Sequence, residues 1–145
     1  MADTRIDQLA DVLVNYSVAV KPGDKVVIDS TFLADPLLKA IYRKVLQVGG
    51  FPLITANPPW LEEIFYTYAS DTQLQFVNPI RKQVIETFDV AISILASENT
   101  KALQGILPEK MTMRRRASSE IMRTFMRRSA SGELRWTVSS FPTPA

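Results

Sequence analysis

Cysteine and histidine are both absent from the 145 residues, and glycine occurs only five times. Without cysteine there are no disulfides, thiolate nucleophiles or sulfur-ligated metals. Without histidine, the commonest metal ligand and the usual proton shuttle at neutral pH are missing. No window approaches the roughly 20 consecutive apolar residues that a membrane-spanning helix needs. The start, Met1-Ala2-Asp3-Thr4-Arg5-Ile6-Asp7, is acidic with no apolar run behind it, so it does not read as a secretory signal and the expected compartment is the cytoplasm. At 46% hydrophobic and 22% charged the composition is that of a globular chain, with a length suited to one domain.

The net charge of +2 hides an asymmetry. Lys110, Arg114, Arg115, Arg116, Arg123, Arg127, Arg128 and Arg135 face only Glu120 and Glu133 between residues 110 and 135, a local net of +6, whereas residues 1–109 carry nine basic and thirteen acidic residues. Such a segment marks either an anionic partner, nucleic acid or membrane, or a face turned to another part of a larger protein.

Apolar residues at three- and four-residue steps (Ile6, Leu9, Ala10, Leu13, Val14) predict a helix over 4–17, with Asp3 or Thr4 as its cap. Lys21-Pro22-Gly23-Asp24 is a turn. Val26-Val27-Ile28 predicts a strand buried on both faces. Asp35-Pro36 opens a helix whose apolar face runs to Val48 and which Gly49-Gly50 stops. Phe51 to Thr55 is a second strand, with Pro52 near its start. Residues 60–68 read as an aromatic loop or short helix. Asp71 caps another helix, interrupted near Pro79. Asp89 to Leu95 is a third strand, a short helix covers 101–104, a long basic helix runs over 109–131, and Leu134 to Ser139 is a fourth strand. Strands alternating with helices predict an α/β fold: an open, mostly parallel, Rossmann-like sheet of four or slightly more strands with helices on both faces. Ligand sites in such sheets lie beyond the carboxyl ends of the strands.

The turn after the first strand, Asp29-Ser30-Thr31-Phe32-Leu33-Ala34-Asp35, has no glycine, so main-chain amides cannot close on a phosphate as dinucleotide and Walker loops require. Ser97, Glu98 and Asn99 offer hydroxyl, carboxylate and amide groups after the third strand. They read either as a contact to substrate or a neighbouring domain, or as helix caps, the commoner role of short polar side chains. Glu62-Glu63 reads as a solvated pair, not a metal site. On the basic helix, Met113, Ala117, Ile121, Met122, Phe125 and Met126 share one side, with Arg116, Arg123, Arg127 and an Arg116–Glu120 pair opposite. No DNA- or RNA-reading motif accompanies that face, which makes nucleic acid the weaker reading. No catalytic constellation is visible.

Five stretches run in order across the chain: Leu13-Val14-Asn15-Tyr16-Ser17; Lys21-Pro22-Gly23-Asp24-Lys25-Val26-Val27-Ile28; Pro36-Leu37-Leu38 with Ile41-Tyr42-Arg43-Lys44-Val45-Leu46 and Gly49-Gly50; Ile94 to Thr100; and Gly132-Glu133-Leu134-Arg135-Trp136 with Phe141-Pro142-Thr143-Pro144-Ala145. Together they resemble the N-terminal domain of the thermophilic aminopeptidase (aminopeptidase T-like) family of metallopeptidases. The resemblance implies a cytosolic, dimeric exopeptidase that removes N-terminal residues from peptides with two divalent ions, zinc, cobalt or similar. In that family glutamate, histidine, aspartate and tyrosine ligands belong to a following C-terminal domain, whose motifs do not occur here. Residues 1–145 are thus expected to form a single α/β domain without catalytic residues, metal ligands or a cofactor of its own. Its expected partners are the C-terminal catalytic domain, a second copy and the peptide substrate, with no membrane, and with Ser97, Glu98 and Asn99 as candidate contacts. The alternative is a stand-alone module using the basic helix 109–131, with Arg116, Arg123 and Arg127, for nucleic acid or a protein partner.

Overall fold

Residues 4–96 and 103–141 are described by a computed structural model. Four strands, β1 (Lys25–Thr31), β2 (Phe51–Asn57), β3 (Val90–Leu95) and β4 (Arg135–Ser140), form one parallel sheet in the order β2-β1-β3-β4. The central β1 is the element with three consecutive β-branched residues, and side chains alternate across it. Val26 and Ile28 enter the core on one face, while Val27 enters a smaller cluster on the other. That is the expected strand buried from both sides.

On the first face lie α1 (Thr4–Asp11) and α2 (Asp35–Gln47), which supply Ala10, Leu37, Leu38, Ala40, Ile41 and Val45 to the larger core. The predicted helix over 4–17 does not stay α-helical: from Val12 to Ser17 it widens to a π-helical turn, with Val18 N–H donating to Leu13 O at 3.2 Å. The turn keeps Leu13 and Val14 buried, and leaves Ala19 at a φ of 45°, a conformation costly for a residue with a Cβ. Pro36 lies in the first turn of α2, and Gly49 takes the left-handed conformation after its end, as the sequence implies.

On the second face, α5 (Pro79–Thr87) and α7 (Ser119–Ala130) pack Val84, Phe88 and Phe125 against Val27, Ala91 and Leu134. Between β2 and α5 come α3 (Leu61–Tyr68), where the sequence allowed a loop or short helix, and α4 (Asp71–Gln75). The cap of α4 is Ser70, not Asp71. Its hydroxyl accepts from Gln73 N–H while Gln73 Oε1 accepts from Ser70 N–H, and this reciprocal pair places Asp71 inside the helix.

The long basic helix expected over 109–131 is two helices, α6 (Pro108–Ala117) and α7, meeting at Ser118. Each half has its own substrate for packing: α6 lies on α4, and α7 on α5. A straight rod could not follow both. The expected Arg116–Glu120 pair straddles that break and does not form; Glu120 instead lies 3.5 Å from Lys82 Nζ on α5. The helix expected over 101–104 falls partly outside the described residues. Among those described, no helix is long and apolar enough to cross a membrane.

Candidate functional site

In this strand order the chain leaves β1 for one neighbour and later returns to its other side, so the crevice between the ends of β1 and β3 is where a ligand is first sought. Protein groups close it. Ser30 Oγ donates to Ile94 O at 2.9 Å, and Thr31 Oγ1 donates to Ala96 O at 2.7 Å. These bonds stitch the end of β1 to the end of β3 and, with the absence of glycine in the turn, leave no amide cradle for phosphate among the described residues. The candidate contacts Ser97, Glu98 and Asn99 begin one residue further on and lie outside the described residues.

Beside the crevice stands a polar cluster. Arg81 of α5 grips Asp29 of β1 in a two-pronged pair, Nη1 to Oδ1 and Nη2 to Oδ2 at 2.9 Å each, and Thr55 Oγ1 of β2 donates to the same carboxylate. Asp29 follows Val26-Val27-Ile28 directly, on the face that α5 covers. A carboxylate in such a run needs a partner before it can be buried. That was the available signal, but nothing in the sequence identifies Arg81 as the partner. With its donors engaged by Asp29, Arg81 acts as a clamp across β1 and α5.

The basic segment divides into two sets. Lys110 Nζ donates to Tyr66 O at 2.8 Å, at the end of α3. Arg114 Nη1 donates to Leu74 O at 3.2 Å and to Phe76 O at 2.5 Å, at the end of α4, and its guanidinium carbon lies 5.4 Å from the centre of the Phe65 ring. Arg128, buried, donates from Nη1 to Ile85 O and Phe88 O at 2.7 Å each, at the end of α5. Three cations therefore satisfy the orphan carbonyls, and oppose the negative dipole end, of three successive helices. Arg135 belongs with them: Nε donates to Val18 O at 2.8 Å and Nη2 pairs with Asp24.

The second set, Arg115, Arg116, Arg123 and Arg127, is exposed and has no hydrogen bond or ion pair among the described residues. Arg116 lines an open hollow of about 830 Å³ between α4 and α6 together with Gln75, Glu109 and Met113. Arg123 and Arg127 stand on α7, beyond the break at Ser118, so the expected basic face is spread over two helix axes. Of the apolar side predicted with it, Phe125 packs against Trp136, ring centres 5.6 Å apart, while Met122 and Met126 remain exposed.

No group of three or more acidic, histidine or cysteine side chains is brought together among the described residues. Glu62 and Glu63 sit exposed in the first turn of α3. The donors among the described residues do not fit a transition-metal centre, which calls for imidazole, thiolate or clustered carboxylates. The arrangement can clamp, cap and present surface.

Wild-type AmpT from Thermus thermophilus has the same fold: TM-score 0.76 at 16% identity, over 97% of this chain and 36% of that one. The chain thus spans about a third of that protein's length. The sequence matches no curated protein. The model of the thermophilic metalloprotease (M29) family matches residues 2–145, which is essentially the whole chain, and the chain belongs to that family.

Proposed function

We propose that this chain is the non-catalytic N-terminal domain of a metal-dependent aminopeptidase of the cytoplasm. In the intact protein it would frame the approach of peptides to a separate catalytic domain and contribute to domain and dimer contacts. The observation that carries this is a mismatch: a match to a metalloprotease family over residues 2–145, in a chain without histidine or cysteine and with no ligand cluster among its described residues. Two divalent ions would then reside in the other domain, so no catalytic step is assigned to the residues here. Ser97, Glu98 and Asn99, which follow β3 in the chain, are the proposed contacts toward that domain or the peptide.

The experiment is direct. The purified chain, supplied with cobalt or zinc, is expected to release no amino acid from an aminoacyl-nitroanilide, and calorimetry is expected to find no stoichiometric metal binding. Metal-dependent release of an N-terminal residue by this chain alone would refute the reading. A binding-module reading retains Arg115, Arg116, Arg123 and Arg127, which have no hydrogen bond or ion pair among the described residues. It predicts a gel shift with nucleic acid that fades steeply as salt rises.

A further inference from the structure

Among the described residues, β2 is an outer strand paired only to β1. In that parallel register Phe51 N–H donates to Asp24 O at 2.7 Å, so Phe51, Leu53, Thr55 and Asn57 turn their main-chain groups toward β1. By alternation Pro52, Ile54 and Ala56 turn theirs outward. Pro52 has no N–H to waste there, the usual placement of proline on an edge strand. Ile54 and Ala56 each keep an outward donor and acceptor.

The same two residues line a trough of about 480 Å³ between β2 and α2. Phe32, Tyr42 and Leu46 form its walls and are 56%, 39% and 52% exposed, much more than a solvent-only surface favours for a contiguous apolar strip. Lys39 and Arg43 stand along it, each beside one carboxylate, Asp35 and Asp7. Their present partners are exposed and loosely held, with Lys39 Nζ at 3.3 Å from Asp35 and Arg43 Nη1 at 3.7 Å from Asp7. Exposed pairs of that kind add little to stability, so either cation exchanges its partner at little cost.

We propose that this trough binds an extended peptide segment as an added strand on β2. Its backbone pairs with Ile54 and Ala56, every second side chain enters the trough, and an acidic residue meets Lys39 and Arg43. A row of outward amides and carbonyls at strand spacing is complementary to another extended backbone, and the apolar wall on one face selects side chains with a period of two. The two cations set the charge of the occupant. A second copy of this chain fits poorly: its own edge, Phe51-Pro52-Leu53-Ile54-Thr55-Ala56-Asn57, has no acidic residue and brings a proline without a donor. The inference stands on this chain's own edge and trough and is independent of the peptidase assignment.

The test is a titration of the nitrogen-15-labelled chain with acetyl-Glu-Thr-Val-Thr-Val-Thr-Glu-amide, followed by amide shifts and hydrogen exchange. Saturable shifts and slowed exchange are expected at Ile54 and Ala56, with affinity at least tenfold lower when both glutamates are lysine. Leu46→Glu, in the trough wall, is expected to weaken binding at least tenfold. Ala56→Pro removes one outward donor as Pro52 already does, so the fold is kept while affinity falls at least fivefold. Absence of shifts at millimolar peptide, shifts confined to surfaces away from β2 and α2, equal binding of the two peptides, or sedimentation showing two copies joined through β2 each overturns the proposal.

Discussion

Replacing Arg128 with methionine should be among the most damaging single changes in the basic segment, although Arg127 beside it is dispensable. Arg128 is 8% exposed, and one guanidinium nitrogen serves both Ile85 O and Phe88 O at 2.7 Å. Methionine keeps most of the apolar stem and removes the donors, leaving two carbonyls at the end of α5 without a partner. Each of the two hydrogen bonds to the charged group contributes about 1.5–3 kcal/mol, about 3–6 kcal/mol together, and part of this is recovered because a buried cation no longer has to be desolvated, so we expect a loss of about 3–5 kcal/mol. At about 2–4 °C per kcal/mol for a chain of this size, the melting temperature falls by about 10 °C. Lysine retains the charge but not the planar fork, and should lose about half as much. The assay is urea unfolding followed by far-ultraviolet circular dichroism and tryptophan fluorescence, with Arg127→Met as control. Arg127 is exposed and unpaired among the described residues, so its loss should stay within about 0.5 kcal/mol. If the two variants unfold at the same urea concentration, the division of the arginines into structural and free sets is wrong.

Lys110→Met and Arg114→Met together should loosen α3, none of whose residues is buried and whose end is held by Lys110 Nζ on Tyr66 O. Limited proteolysis should then cut within 58–70 at least tenfold faster, with global stability lowered by only about 1–3 kcal/mol. Gly50→Ala should cost about 1–3 kcal/mol by overpacking, because a Cβ there would meet Val45 Cγ1 at 2.9 Å and Val20 Cγ1 at 3.1 Å. Gly105→Ala, with nothing within 4 Å of the added carbon, should leave the thermal midpoint unchanged by the same measurement.

The fold was legible where one local rule decided the outcome. Val26-Val27-Ile28 could be read as a strand buried on both faces because β-branched, wholly apolar runs have no polar side to expose. Pro36 and Gly49 could be read as the ends of α2 because backbone sterics permit little else at those positions. The site was less legible. Asp29 announced a need for a partner without naming Arg81, which lies on another element 52 positions away. Arg116 and Glu120 obeyed the helical spacing rule and still failed to pair, because Ser118 separates two helices that follow different supports. The arginines of 114–128 look alike in one dimension, yet Arg114 and Arg128 cap helices whereas Arg116, Arg123 and Arg127 face solvent.

By itself, the order of residues determined which ligand side chains these 145 residues lack and the class of sheet they form. Without imidazole or thiol a transition-metal centre would need clustered carboxylates, and alternating apolar runs and amphipathic stretches bury their surfaces as strands covered by helices. Which cation caps which helix, which carboxylate is clamped, and which strand is left with an open edge were decided only by tertiary structure. Those outcomes depend on groups far apart in the chain arriving within hydrogen-bonding distance, and packing, rather than local propensity, sets that arrival.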